Sequence, residues 1–583
     1  MLSSSLQKFT TATPFCSFVL AVSLAIFVSA DPLSISVPST ALGHNVVQPN
    51  FLGVSLELSF MDEYFGNDAS TIPSTIINYL SAIRGRTGNF PLRLRVGGNS
   101  MDSSVYVPEL ATPMLQNATT AANANNQPVN YGPMLWKVMK KVADDVGGAK
   151  YLIGLSLLDP NNPNVPVIAG AAEQTLEDAL DGYLLGNEPD LYTAHQQRPD
   201  IKNYTTDIYI NVSLTVADRL ANTSAGNLLN LKNLGGPTVC CVWNLDVLLQ
   251  GGYLAAFHGI LKYISLQHYP QNNCFDHYQY GIPYYIQHAN VVGLTSWQSP
   301  AIALLQSNTS ANPQLIMSEF NSASCGGVPT ISDTFAVGTL WTVDYALQMA
   351  AVGFSAAYLH TRERGISYNL FTPPDGPNGN PGNWVTNPPY YALIATAEAL
   401  QTTDGVGSVV VDLNIANSKT DKKATVAGYA VYDSKGSAVE QIVLFNYANV
   451  SNFPDPSAAT ATFALPASAF SAMKKTEIPV KFLSASGLTE KYNIAWGGQS
   501  LIGIGNGIFQ DNNATWAIPN QQLDCTNGCS VSVPAAAMAV VFAGGTNEIN
   551  IHGPQGNMAQ SSFIVNPALV ALGVIGSLSI IAL

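Results

Sequence analysis

Charge is scarce in this chain. Only 11% of its 583 residues are Asp, Glu, Lys or Arg, and Lys plus Arg number 24 against 38 Asp plus Glu. A nucleic-acid surface needs clustered basic residues, so nucleic acid is excluded as the expected partner. Disorder is excluded as well, because 47% of the residues are hydrophobic. Histidine is sparse: eight residues are scattered with no H-E-x-x-H arrangement, and the cysteines lack zinc spacing. No metal and no cofactor is therefore expected. There is no G-x-G-x-x-G turn after an early strand, which counts against a doubly wound open sheet. "RVGGNS" at 95–100 has two glycines without that spacing. Neither an internal repeat nor a long low-complexity linker is present.

The length exceeds what one core serves, so a large barrel plus a second domain is the expectation. Both ends read as processing signals. Residues 1–30 carry Lys8, an apolar stretch, and Val28-Ser29-Ala30 where a signal peptidase would cut. The last 17 residues, "PALVALGVIGSLSIIAL", follow a polar segment rich in small residues. Residues 551–583 thus have the layout of a glycosylphosphatidylinositol (GPI)-anchor signal, with a transmembrane helix as the alternative. The expected protein is exported, and it meets a membrane only through that lipid. Sequons begin at Asn117, Asn203, Asn211, Asn222, Asn308, Asn449 and Asn513, which agrees with export. Cys16 would leave with the signal. Six cysteines remain, enough for three disulfides, and Cys525–Cys529 is the pair expected. The pairing of Cys240, Cys241, Cys274 and Cys325 stays open.

From 46 to 401, short apolar runs alternate with helix-length segments. The runs are 51–58, 91–98, 151–158, 182–189, 231–239, 263–270, 314–320 and 353–361. Eight such repeats predict an α/β fold, a (β/α)₈ TIM barrel. From 402 to 550 several strand-like runs follow without helices, which predicts a C-terminal β-sandwich. Residues 31–45 also read as a strand, expected to join the sandwich.

In such a barrel the chemistry sits at the C-terminal strand ends. These ends carry Glu57; Arg95, Asn99 and Asp102; Asn187-Glu188; His268-Tyr269; Glu319; and His360. Glu188 and Glu319 close the fourth and seventh runs, on opposing sides of the mouth. Two carboxyl groups across a cleft suit glycosidic-bond hydrolysis, one giving a proton and the other attacking the anomeric carbon.

The motifs "LRLRVGGNSMD" (92–102), "GNEPD" (186–190), "LQHYP" (266–270), "SEFNSASCGG" (318–327) and "RGISYN" (364–369) occur in that order. Together they resemble clan A glycoside hydrolases, and within the clan family 79, the β-glucuronidase and heparanase-like family. The resemblance spans about 51–372 and implies a retaining, exo-acting β-glucuronidase with a glycan substrate, 4-O-methylated or not. It implies Glu188 as general acid/base and Glu319 as nucleophile, with Tyr269 and Arg95 orienting the latter. It places Asn187 on the sugar 2-hydroxyl and Glu57, Asn99, Asp102 and His268 on the substrate. Gly326 and Tyr368 fall where the family reads the uronate carboxylate. Where some members carry a tyrosine in the loop after the nucleophile, this chain has Ser324-Cys325. Two other readings stay open: another clan A retaining glycosidase (β-xylosidase, arabinofuranosidase or endo-glucanase), or a non-catalytic surface carbohydrate-binding protein.

Overall fold

Eight parallel strands close into a barrel: Leu52–Glu57 (β1), Leu92–Gly97 (β2), Ala149–Leu155 (β3), Leu180–Leu185 (β4), Leu234–Val239 (β5), Leu261–His268 (β6), Gln314–Phe320 (β7) and Ala356–Thr361 (β8). Closure comes from β8 pairing with β1, with Ala357 opposite Leu52 and Thr361 opposite Leu56. The computed structural model describes residues 31–43, 45–118, 127–307, 313–374, 384–452, 456–471, 476–501 and 505–544. The expected signal segment and C-terminal tail, and the sequon at Asn308, lie outside the described residues. Among the described residues no helix is long and apolar enough to cross a membrane.

The strands are buried on both faces, as parallel strands covered by helices must be, and so they read as nearly continuous apolar runs. Helices follow the strands, among them Pro133–Asp145, Thr206–Ala221, Thr342–Val352 and Pro388–Ala399. Pro133 and Pro388 open their helices, where the missing N–H costs nothing. The Thr205 hydroxyl caps the second of these four helices by accepting from Ile208 N. Inside the barrel, Leu152, Leu184, Tyr263, Ile316, Ala356 and Tyr358 form a plug below the mouth.

The C-terminal part is a two-sheet β structure. The larger sheet includes Ser408–Asp412 (β9), Val426–Asp433 (β10), Val439–Asn446 (β11), Glu477–Ala485 (β13) and Ala537–Val541 (β15). The smaller holds Ala461–Leu465 (β12) and Cys529–Val533 (β14). Two short N-terminal strands join them. Leu33–Ser34 pairs in parallel with β12, Leu33 opposite Phe463, and Val46–Val47 pairs antiparallel with β9.

A buried polar cluster ties the barrel helices to this sheet. His288 Nδ1 lies 2.9 Å from Asp344 Oδ1, and its Nε2 lies 3.0 Å from Asp412 Oδ2. The hydroxyls of Tyr429 and Tyr447 donate to the same Asp344, at 2.5 and 2.7 Å. Burial opposes a charge on His288, but Asp344 and then Asp412 outweigh it and hold its pKa up at about 10. A second tie is Glu398, which accepts from Arg86 Nε at 2.7 Å and from Lys481 Nζ at 2.8 Å.

Candidate active site

Glu319 lies on β7 and is met from three sides. Arg95, on β2, reaches it with Nη1 and also donates to Ser55 Oγ at 3.0 Å. The Tyr269 hydroxyl, just past β6, donates to Glu319 Oε1 at 2.8 Å. His360 Nε2, on β8, stands 3.8 Å from Glu319 Oε1 and 3.4 Å from Glu57 Oε2. Burial alone would raise the pKa of Glu319. The charges of His360 and Arg95 and the Tyr269 hydroxyl outweigh it and hold the carboxylate below its ordinary range. Glu319 is the ionised member of the pair.

Glu188 has the opposite balance. It lies three residues past the end of β4 in a left-handed conformation, φ +48°. That conformation costs a non-glycine residue roughly 1–2 kcal/mol. The end of β5 holds the turn: Glu188 N donates to Thr238 O at 3.2 Å, and the Thr238 hydroxyl donates to Gly186 O at 2.9 Å. Burial raises the pKa of Glu188 well above the usual carboxyl range, and the charges of Glu319 and Asp190 raise it further.

A chain of amides fixes where its proton sits. Arg95 Nη2 can only donate, so the Asn187 atom 2.8 Å away is Oδ1. That oxygen can only accept, so the Gln267 atom 2.8 Å from it is Nε2. Gln267 Oε1 then faces Glu188 Oε1 at 3.2 Å. Turning the Gln267 amide over would let it donate to Glu188 and accept from Arg95 Nη2 at 3.2 Å, but it would replace the shorter 2.8 Å bond at Asn187 with acceptor against acceptor. The remaining way to satisfy the contact is a proton on Glu188, donated to Gln267.

A cavity of about 730 Å³ opens above the pair. Glu57, Asn99, His268, Tyr269 and Tyr368 line it together with both glutamates. Burial would raise the pKa of Glu57, but His360 and then Arg362 lower it to about 2. Gly98 is required beside it: φ is +83°, and an added Cβ would lie 2.1 Å from Glu57 Oε2. His268 stacks on Trp297 with centroids 4.9 Å apart, and burial pushes its pKa down to about 4, so it is neutral.

Four residues expected at the site stand outside the cavity wall. Arg95 acts on Glu319 from behind it. Asn187 is drawn inward by Arg95 and Gln267, and its Nδ2 donates to Asn99 Oδ1 at 2.7 Å, so Asn99 faces the cavity in its place. Asp102 accepts from Asn187 N at 3.0 Å and from the Tyr192 hydroxyl at 2.5 Å. It supports the turn that carries Glu188; burial lifts its pKa to about 7 against those donors. Gly326 has φ +93°, and a Cβ there would strike Ile366.

Sequence reasoning passed over Gln267, although Ser265, Gln267 and Tyr269 alternate onto one face of β6. It also left Arg362 without a role; that residue lines the cavity and pairs with Glu363. The three disulfides are Cys240–Cys241, Cys274–Cys325 and Cys525–Cys529. The first two border the cavity. Asp190, Cys240 and Cys241 bring three metal-type donor atoms together. The sulfurs are joined to each other, however, and the carboxylate accepts backbone N–H groups from Cys240, Cys241 and Val242.

The fold is shared with a 4-O-α-L-rhamnosyl-β-D-glucuronidase from Fusarium oxysporum 12S. The TM-score is 0.68 at 18% identity, over 88% of this chain and 100% of that one. Two curated β-glucuronidases are similar in sequence. One, from Aspergillus niger, is 25% identical over 504 residues, covering 81% of this chain and 86% of its own. The other, from Neurospora crassa, is 25% identical over 531 residues, covering 81% and 87%. The chain is a glycoside hydrolase. Its residues 428–540 match the glycosyl hydrolase family 79 C-terminal beta domain. That match falls in the same family, glycoside hydrolase family 79, that the barrel motifs resemble.

Proposed function

We propose that this protein is a retaining, exo-acting β-glucuronidase that removes terminal β-linked glucuronic acid from glycans. The observation that carries the reading is the asymmetry of the two carboxyl groups: Glu319 is held ionised by donors while Glu188 is held protonated. In the first step Glu319 attacks C1, the bond from C1 to the glycosidic oxygen breaks, and Glu188 gives that oxygen its proton. The product is a glycosyl ester on Glu319. With the Glu319 charge consumed, the pKa of Glu188 falls and Glu188 takes a proton from water. The hydroxide attacks C1, Glu319 leaves, and two inversions return the β configuration.

The two curated relatives support glucuronate as the sugar. The cavity end around Glu319 also suits a uronate, with the Arg362 guanidinium and the Tyr368 hydroxyl in its wall. A panel of aryl β-glycosides run with wild type and Glu319→Ala is the test. Hydrolysis of the glucuronide alone, abolished by the substitution, is expected. Preference for a neutral sugar would defeat the glucuronidase reading, and an active Glu319→Ala would defeat the mechanism.

Export with a lipid anchor belongs to the same proposal. Its support is three disulfides, which suit an oxidising compartment, and exposed asparagines at six sequons: Asn117, Asn203, Asn211, Asn222, Asn449 and Asn513. Release from cells by a phosphatidylinositol-specific phospholipase is the expected result.

A further inference from the structure

The cavity has two unlike ends. Glu57 on β1 and His360 and Arg362 at the end of β8 make one end charged. In the closed barrel the wall after β4 and β5 stands opposite, and it carries Leu191, Ala194 and the neighbouring pair Cys240–Cys241. The proton donor sets which end faces which half of the substrate. Glu188 must touch the glycosidic oxygen, so the leaving group lies on its side, toward β4 and β5.

That wall is built with the acid as one piece. Asp190, two residues after Glu188, is buried, and its carboxylate accepts from Cys240 N (3.1 Å), Cys241 N (2.8 Å) and Val242 N (2.8 Å). The turn that holds the proton donor thus also sets the position of the disulfide. Cys241 and Ala194 are exposed in the cavity. The disulfide turns its exposed Cys241 side to the cavity, with Cys240 buried beneath it, and offers a polarisable, apolar surface with no side-chain donor to satisfy. A pyranose ring presents a face of C–H groups that packs on such a surface through dispersion.

We propose that the Cys240–Cys241 disulfide, with Leu191 and Ala194, is the subsite for the leaving-group sugar, its exposed Cys241 side packing against the C–H face of the ring next to the scissile bond. The natural substrate is then a glycan chain whose penultimate unit is a pyranose. This rests on the reading of Glu188 as the acid.

The test compares two substrates of the glycone that wild type prefers: its methyl β-glycoside and its β-linked disaccharide with galactose. Both leaving groups are alkyl alcohols, so both need the acid alike and they differ in the ring. The measurement is the ratio of kcat/KM, disaccharide over methyl glycoside. In Cys240→Ala/Cys241→Ala this ratio should fall about five- to tenfold, the size of one lost ring contact. Ala194→Asp keeps the disulfide and puts a solvated charge on the platform, so it should lower the ratio similarly even if the double variant fails to fold. A ratio within twofold of wild type in Ala194→Asp, or in a folded double variant, overturns the subsite. If wild type cleaves no glycoside at all, the glycosidase reading falls with it; if it cleaves the methyl glycoside and the ratio is unmoved, only the subsite falls.

Discussion

Replacing Gln267 by Ala isolates the contact that holds the acid's proton. In the native site Gln267 offers Glu188 an oxygen at 3.2 Å and keeps its N–H groups turned toward Asn187. That arrangement accepts from a protonated acid and repels a carboxylate. Alanine leaves room for water, which donates to a carboxylate as readily as it accepts from an acid. The loss is one buried hydrogen bond specific to the protonated form, worth about 1 kcal/mol. At 1.36 kcal/mol per pKa unit, the pKa of Glu188 should fall by roughly 0.7. Activity needs Glu188 protonated, so the alkaline limb of the kcat/KM profile should move down in pH by that amount. The acidic limb, which reports Glu319, should move less. Substrates with poor leaving groups should lose more than 4-nitrophenyl glycosides. An alkaline limb that stays put, or moves up in pH, would refute the reasoning; upward movement would mean that Gln267 donates to a carboxylate and that the amide chain runs the other way.

Three further outcomes are expected. His288→Leu should destabilise the fold by about 3–5 kcal/mol, because it leaves Asp344 buried without its cation. The folded pKa of about 10 stands above the ordinary 6.5, so the contribution of His288 is full below pH 6.5 and fades as pH rises toward 10. Chemical denaturation at pH 6 and pH 10 should show the gap between wild type and variant narrowing at the higher value. Asp102, with its pKa raised to about 7, weakens the fold as pH rises from about 4 through 7. Asp102→Asn keeps an acceptor for Tyr192 and Asn187, and should flatten the dependence of the melting temperature on pH across that window. Gly98→Ala should cut kcat/KM by tenfold or more with little change in the glycone preferred, because its Cβ would displace the Glu57 carboxylate.

The barrel was legible because each strand is an apolar run that stops at a polar residue, and parallel strands leave that mark. Boundaries were less so. The run at 182–189 takes in Asn187 and Glu188, but β4 ends at Leu185 and the acid sits in a turn with φ +48°. No local pattern announces a left-handed glutamate; the end of β5 creates it. Asp102 was expected on the substrate from the family resemblance, yet its carboxylate is taken up by Asn187 N and the Tyr192 hydroxyl. Asp344 lies in the buried, mostly apolar helix Thr342–Val352, and its partner His288 lies 56 positions away, so no local pattern explains it. The neighbouring Cys240 and Cys241 were left unpaired on paper because sequence offers no preference for bonding adjacent residues.

The two short strands at the start of the described chain have a consequence for biosynthesis. Leu33 pairs with Phe463, and Val46 with Val409. At about 5–20 residues per second, a ribosome needs roughly 20–90 s to supply Phe463 after Leu33 has emerged. The barrel strands are made in that interval, so the earliest segment has to wait while the middle of the chain folds. A product that stops before the late strands leaves those early segments without partners and their edges open to chaperones. The N-terminal strands thereby act as a check that synthesis has passed β12, since their partners are β9 and β12.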